Sequence, residues 1–319
     1  MSPNMSDKPR KYIDQVKNPV VRPCPGAKNH FCCNLVIVSQ ILNCPYNCSY
    51  CFLHTFFGRE EIVIYRDNEK IIQEVLAYMQ SAKGPLRFCT GEYSDSLAMP
   101  EAESLAVQLV NVFSRQRKHL LELKTKSINI DRLLSLDHNH QTIISWSVNP
   151  PVIIKQEEHD APDLDKRLLA AQRAVAAGYL VGFHFDPIIY FPGWEKAYES
   201  VVREIGETIP TGKIAWISLG CLRFPAAQKE LMLNKFKSRV DFSAFLPGED
   251  NKLRYPKVMR IMLFSQLIAF LKKYLPGAYC YLCMEEAAVW QALDLGKENP
   301  PVFQFANREP VVKEGREVL

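Results

Sequence analysis

Long apolar runs are missing from this sequence. The most apolar extended segment, Ile261 to Leu271, is about half the length of a membrane span and is bracketed by Arg260 and Lys272. No apolar stretch follows the charges of Met1 to Lys8, so no secretory signal is read there. A soluble cytoplasmic protein without membrane contact is expected. A strong excess of one charge is also missing. The formal net charge is +4 over 319 residues, less basic than many nucleic-acid binders, although a local basic groove would be enough for binding. Internal repeats and low-complexity stretches are absent, which argues against a stacked-repeat architecture. In a reducing cytoplasm the ten cysteines do not build a disulfide framework. Cys221, Cys280 and Cys283 are read as buried free thiols. The C-x2-C of Cys280 and Cys283 falls in a strand-like run, where residues three apart point to opposite faces, so one metal would not take both.

What is present is an ordinary globular composition, 47% hydrophobic and 23% charged, with apolar material for one large core. Short β-rich segments at 34–42, 86–90, 120–124, 142–148, 180–185 and 213–219 alternate with helical periodicity at 68–81, 100–117, 130–136, 163–178, 194–209 and 226–236. Pro100 suits a first helical turn, and Gly178 a helix stop. Six βα units are too few for a closed eight-stranded barrel. They predict an α/β fold, a partial TIM-like (βα)6 barrel, with ligands bound at the carboxyl ends of its strands. The expected organisation is an irregular segment at 1–30, a barrel core at 31–240 and a C-terminal α/β extension at 241–319. That extension has a helix near 256–274, a strand, a helix near 285–293 and an irregular tail from Gly296.

The decisive segment is Asn43-Cys44-Pro45-Tyr46-Asn47-Cys48-Ser49-Tyr50-Cys51-Phe52-Leu53, a C-x3-C-x2-C in the loop after the first strand. Iron–sulfur clusters usually take four cysteines. Three thiolates on one loop leave one iron of a [4Fe–4S] cubane without a protein ligand, open to a substrate or cofactor. The alternatives are three structural thiols or a zinc knuckle, for which His54 could supply a fourth ligand.

C-x3-C-x2-C followed by an aromatic residue and a leucine resembles the signature of the radical S-adenosylmethionine (SAM) superfamily. The resemblance implies a [4Fe–4S] cluster on Cys44, Cys48 and Cys51, with SAM at the open iron. It also implies a 5′-deoxyadenosyl radical that abstracts a substrate hydrogen. Thr90-Gly91-Glu92 resembles the superfamily's Gly-Gly-Glu element, with Thr90 in place of the first glycine, so Gly91 and Glu92 are candidates to meet the SAM ammonium. Lys124 or Lys126 could pair with the SAM carboxylate, and Ser147 and Asn149 could hydrogen-bond its ribose or carboxylate. His184 and Asp186 fall on one strand face as a candidate substrate-facing pair.

Over roughly residues 20 to 290 the chain resembles the spore photoproduct lyase family. The resemblance rests on Pro23-Cys24-Pro25-Gly26, Cys32-Cys33, Thr125-Lys126, Ser147-Val148-Asn149, Leu164-Asp165-Lys166-Arg167, Ala177-Gly178-Tyr179 and Gly193-Trp194. It implies SAM contacts from Lys126 and Ser147, packing of Tyr50 against the cofactor, and an electron donor of the flavodoxin or ferredoxin class. The family's lyase splits a thymine dimer in DNA and quenches the product radical through a cysteine and a tyrosine. Here the tyrosine after the third cluster cysteine is replaced by Phe52, which has no phenolic O–H; Tyr50, just before Cys51, is kept and is a catalytic candidate. Aligning on Ser94-Asp95 puts Glu92 at the donor cysteine's place, and Gly91-Glu92 favours that alignment. Aligning on Cys89-Thr90 makes Cys89 the donor at the cost of a three-residue insertion. Lys252, Arg254, Tyr255, Lys257 and Arg260, four cations and a ring, could follow DNA phosphates; the alternative is a solvated loop entering a helix. The functional expectation is a repair lyase for DNA pyrimidine dimers. The alternatives are a radical SAM enzyme with a small-molecule or peptide substrate, and a non-catalytic zinc or iron–sulfur module.

Overall fold

A computed structural model describes residues 8–293 and 295, apart from 16, 27–29, 32 and 34. The N-terminal residues before Lys8, Cys32, the Asn34 start of the expected first strand and the tail from Gly296 lie outside the described residues.

The main sheet has eight strands: β1 (Val21–Pro23), β2 (Val36–Val38), β3 (Arg87–Cys89), β4 (Leu120–Thr125), β5 (Thr142–Ser147), β6 (Leu180–Ile188), β7 (Ile214–Cys221) and β8 (Cys280–Leu282). They stand in sequence order across the sheet, with β1 and β8 at its two edges. From β2 to β8 every pairing is parallel, and β1 runs antiparallel to β2. Helices α1 (Asn68–Ser81), α2 (Pro100–Phe113), α3 (Leu164–Ala176), α4 (Trp194–Thr208), α5 (Ala226–Asn234) and α6 (Lys257–Tyr274) lie in the crossovers. This is the open α/β barrel expected from the alternating pattern. The strand of the expected C-terminal extension joins the sheet as a seventh parallel strand, β8, beside β7.

The two-residue period of the strands sorts the chemistry. Phe88, Leu121, Leu123, Ile144, Trp146, Phe183, Phe185, Ile217 and Leu219 are buried in the main apolar core with the helices. The alternate positions Arg87, Cys89, Glu122, Lys124, Ser145, Ser147, His184, Asp186, Trp216 and Ser218 therefore share the opposite face, the barrel interior. A polar interior is the signature of a lumen that holds a ligand.

Local signals explain most boundaries. Asp67 caps α1 by accepting from the Lys70 amide at 3.0 Å. Pro100 occupies the first turn of α2. Past α3 the chain turns at Gly178 with φ +94°. Two expectations change. The 34–42 run is two pieces, because the chain turns at Ser39-Gln40 and Ile41–Leu42 leaves the main sheet to pair antiparallel with Ile62–Tyr65. The helix expected at 130–136 is a short 3-10 turn, Asp131–Leu133.

Candidate active site

The cluster loop begins where Asn43 takes φ +77°. Its amide nitrogen donates to the carbonyls of Arg59, Glu60 and Glu61 at 3.0, 3.2 and 3.3 Å, and its Oδ1 accepts from the Cys44 amide at 2.9 Å. Asn47–Cys48 then pairs antiparallel with Glu158–His159. The Ser49 amide donates to the Glu157 carbonyl at 2.7 Å, and its hydroxyl donates to the Glu157 carboxylate. Gln228 on α5 donates to the Ser49 carbonyl at 2.7 Å, and Lys8 donates to the Cys44 carbonyl at 2.8 Å. Segments far apart in sequence thus converge to fix one loop after β2, at the carboxyl end of the sheet.

Cys44, Cys48 and Cys51 are free thiols on this loop. Burial pushes Cys48 up to about 12 and raises the other two; Cys44 also feels the charge of Cys51 and Cys48, and Cys48 that of Cys51. Cys24 packs against the same Ile37–Leu53–Tyr93 patch as Cys44 and Cys51. His54 does not complete a zinc knuckle: its Nε2 lies 3.0 Å from the Cys48 carbonyl and can only donate to it. Burial drops the His54 imidazole to about 4, so the ring is neutral. Among the described residues no three histidine, cysteine or carboxylate groups are grouped to hold a single ion. A cubane instead takes each cysteine on a different iron. Three thiols on one loop, Cys48 buried and Cys44 and Cys51 half-buried, whose ionisation needs a compensating positive charge, fit that donor chemistry.

The centre of the surrounding network is Glu158, which sequence reasoning missed. Its carboxylate accepts from Tyr50 Oη at 2.5 Å, Asn149 Nδ2 at 2.9 Å and Arg167 Nη2 at 2.6 Å, all buried. Burial opposes its charge, but Arg167 and Lys126 outweigh that and hold the carboxyl at about 2. Arg167 also donates to the Ser147 carbonyl at 2.9 Å. Tyr50, between two cluster cysteines, is thereby tied to β5 and α3. Asn149 Oδ1 accepts from Tyr198 at 3.0 Å, so both ends of that amide are committed inside the protein. Nothing in the composition of 157–159 distinguishes these carboxylates from a solvated pair; their burial comes from the antiparallel pairing with the loop.

Lys126 stands next to this network. Its amide donates to Asp95 at 2.7 Å, and its Nζ sits 5.8 Å from the Tyr50 ring centroid. Burial disfavours its charge, yet Glu158 and Cys48 keep it firmly cationic. Among the described residues it has no carboxylate within ion-pair distance. The Ser147 hydroxyl likewise makes no hydrogen bond among the described residues.

Lys124 instead pairs with Glu92 through one carboxylate oxygen. Gly91 is required by close approach: a Cβ there would lie 2.6 Å from the Lys124 carbonyl oxygen and 2.8 Å from Lys124 Cβ. Asp95, fully buried, accepts from the Thr125 hydroxyl at 2.5 Å and the Leu97 amide at 2.9 Å, and so positions the end of β4. Cys89 is fully buried on the lumen face of β3, and burial pushes its thiol up to about 12.

Three expectations are corrected. His184 is not substrate-facing; its Nε2 bonds Glu122 at 2.8 Å, inside a buried group that includes Arg87 at 2.6 Å and Trp216 at 3.2 Å. Asp186 lies on the same face and pairs with Arg223 at 3.1 Å near the mouth. The basic strip is not a phosphate track. Arg254 is buried against Asp250 at 2.5 Å, and Arg260 is buried against Glu285 at 3.2 Å and Glu286 at 2.7 Å. Tyr255 is 1% exposed and accepts from the Tyr190 amide at 3.1 Å. Lys252 and Lys257 face Asp250 and Glu286 at 3.6 and 3.9 Å. Arg254, Tyr255 and Arg260 form an internal clamp on the C-terminal helix, with Lys252 half-buried and Lys257 exposed beside them. Phe52 is 38% exposed and stacks edge-on with Phe56.

Comparison with known proteins adds a family. The family model described as spore photoproduct lyase matches residues 37–245. Spore photoproduct lyase of Clostridium acetobutylicum is 25% identical over 234 residues, covering 73% of this chain and 66% of that protein. The Bacillus subtilis enzyme is 30% identical over 169 residues, covering 52% of this chain and 49% of that protein. The matches thus span about two thirds or less of these relatives' own length. A solved spore photoproduct lyase complexed with dinucleoside spore photoproduct superposes with a TM-score of 0.75 at 22% identity, covering 86% of this chain and 82% of that one. A variant with bound AdoMet and the same dinucleoside gives 0.73 at 23% identity, covering 77% and 76%. These structural likenesses concern the fold.

Proposed function

The chain belongs to the spore photoproduct lyase family, and we propose that it is a radical SAM enzyme that acts on a pyrimidine lesion in DNA. The observation that carries this reading is the trio Cys44, Cys48 and Cys51, braced on one loop at the carboxyl end of an open barrel. These thiolates would hold a [4Fe–4S] cluster by three corners. When bound, the cluster and SAM together supply a 5′-deoxyadenosyl radical that abstracts a hydrogen atom from the substrate.

The chain's own residues position and protect. Lys126, cationic and without an ion-pair partner among the described residues, is the group to meet the SAM carboxylate, with the Ser147 hydroxyl beside it in the β4–β5 register. Glu92 has one carboxylate oxygen on Lys124, and its other oxygen is the acceptor for the SAM ammonium. Tyr50 packs between the cluster loop and Lys126, oriented by Glu158. Asn149 acts behind Glu158 and Tyr198 as a positioning residue. Cys89 is the candidate hydrogen-atom donor. Such a donor must carry its proton, and a thiol buried on the lumen face and raised to about 12 does so throughout the neutral range. An oxygen-sensitive cluster needs a low-potential electron donor, of flavodoxin or ferredoxin class, and a reducing compartment, which places the protein in the cytoplasm.

The buried clamp at 252–260 favours a second reading, in which the substrate is not DNA, because it presents no cationic track of its own. Anaerobic reconstitution, reductive SAM cleavage and addition of dinucleoside spore photoproduct separate the two. Deoxyadenosine formation with release of paired thymidines supports the lyase. Deoxyadenosine without lesion turnover supports another substrate, and no deoxyadenosine refutes both. Cys89→Ala is expected to keep SAM cleavage and lose the repaired product.

A further inference from the structure

The sheet's two edges, β1 and β8, are not paired with each other among the described residues. The chain between β1 and β2 crosses this seam. There His30–Phe31 pairs antiparallel with Glu285–Glu286, just beyond β8, with partners His30–Glu286 and Phe31–Glu285. Cys33 and Cys283 each lie two residues beyond the Phe31–Glu285 pair, on the same side of it. The side chains agree with the backbone: the Cys283 thiol is hydrogen-bonded to Cys33. Both cysteines are half-buried, so a small reagent can reach them. The bond to Cys33 and burial push the Cys283 thiol well up, and the Arg223 guanidinium, with Nη2 3.8 Å from Cys283 Sγ, partly opposes that rise. Arg260 on Glu285 and the edge-on contact of Phe31 with Trp290 at 6.1 Å hold the two segments in register.

We infer that Cys33 and Cys283 are a reversible dithiol–disulfide couple that staples the seam-crossing segment to the β8 edge of the barrel. The oxidant is a small-molecule disulfide such as oxidised glutathione. The Cys283 thiolate attacks one of its sulfurs, forming a mixed disulfide and releasing one glutathione thiolate. The Cys33 thiolate then attacks Cys283 Sγ, closing the protein disulfide and releasing the second. Two protein thiols are oxidised, one external disulfide is reduced to two thiols, and the protons pass to the released thiolates. The couple is separate from the cluster loop and does not depend on the proposed reaction.

The test uses the anaerobically purified holoprotein, incubated with oxidised glutathione, blocked with N-ethylmaleimide and digested without reduction. Mass spectrometry is expected to find one linked peptide joining Cys33 to Cys283. Two alkylatable thiols should disappear together, and dithiothreitol should restore both. The oxidised protein should melt at a higher temperature than the reduced one, and Cys283→Ser and Cys33→Ser should each abolish both the link and the rise. Independent glutathionylation without a link, a link from Cys283 to Cys32 or Cys24, or no modification at either cysteine would overturn the inference. Should either serine variant fail to fold, the peptide map of the unaltered protein decides alone.

Discussion

Glu158→Gln is the most informative single change outside the cluster cysteines. It keeps the side chain's size and removes its charge, leaving the fully buried Arg167 guanidinium without its counter-ion. Breaking a buried pair by removing one partner costs about 3–5 kcal/mol. The carboxyl itself gives a second route to the magnitude. Folding lowers it from the ordinary 4.5 to about 2 at a site with no side-chain exposure, equivalent to about 3 kcal/mol. Because the folded-state value is depressed, this stabilisation is complete above pH 4.5 and is lost as pH falls toward 2. Denaturant unfolding of the apoprotein, followed by circular dichroism, should show a loss of about 3 kcal/mol for the variant at pH 7. The variant should also lack the part of the acid-side decline due to this group. The reconstituted variant should retain less iron, because Tyr50, beside Cys48 and Cys51, exchanges a charged acceptor for a neutral one and Arg167 loses its carboxylate. A loss under about 1 kcal/mol, no larger than an exposed ion pair would give, with unchanged iron and an unaltered acid limb, would refute the role given to Glu158.

Tyr50→Phe removes one hydrogen bond to a charged acceptor, so a loss of about 2 kcal/mol is expected. Its effect should be less than additive with Glu158→Gln in a double-mutant cycle. Gly91→Ala would press its methyl against the Lys124 backbone, and a loss of about 1–3 kcal/mol is expected in thermal unfolding, with no relief from substituting Glu92. Arg260→Met should lower stability by about 3 kcal/mol in denaturant titration. Lys257→Ala, by contrast, should change neither stability nor the salt dependence of any DNA binding measured by gel shift.

Much of the fold can be read from the sequence because the strands and helices carry clean periods. α1 has the expected limits, with Ile71, Val75 and Met79 buried. The cluster cysteines are legible because their spacing is local. What could not be read depends on pairings between distant segments. Ser39-Gln40 breaks an apolar run that has no period of its own to reveal the break. Glu158 gains its role from antiparallel pairing with a loop more than a hundred residues earlier. Arg254 and Arg260 look like a basic surface until Asp250, Glu285 and Glu286 are brought against them. Cys33 and Cys283 sit at opposite ends of the chain, and only the seam crossing joins them.

Whether Cys44, Cys48 and Cys51 hold a cubane is decided by metal analysis of anaerobically reconstituted protein, alongside a variant with alanine at all three positions. A brown protein with about four irons and matching sulfide per chain is expected, and almost none in the variant. A colourless protein with one zinc per chain, or iron that survives loss of all three cysteines, would contradict it.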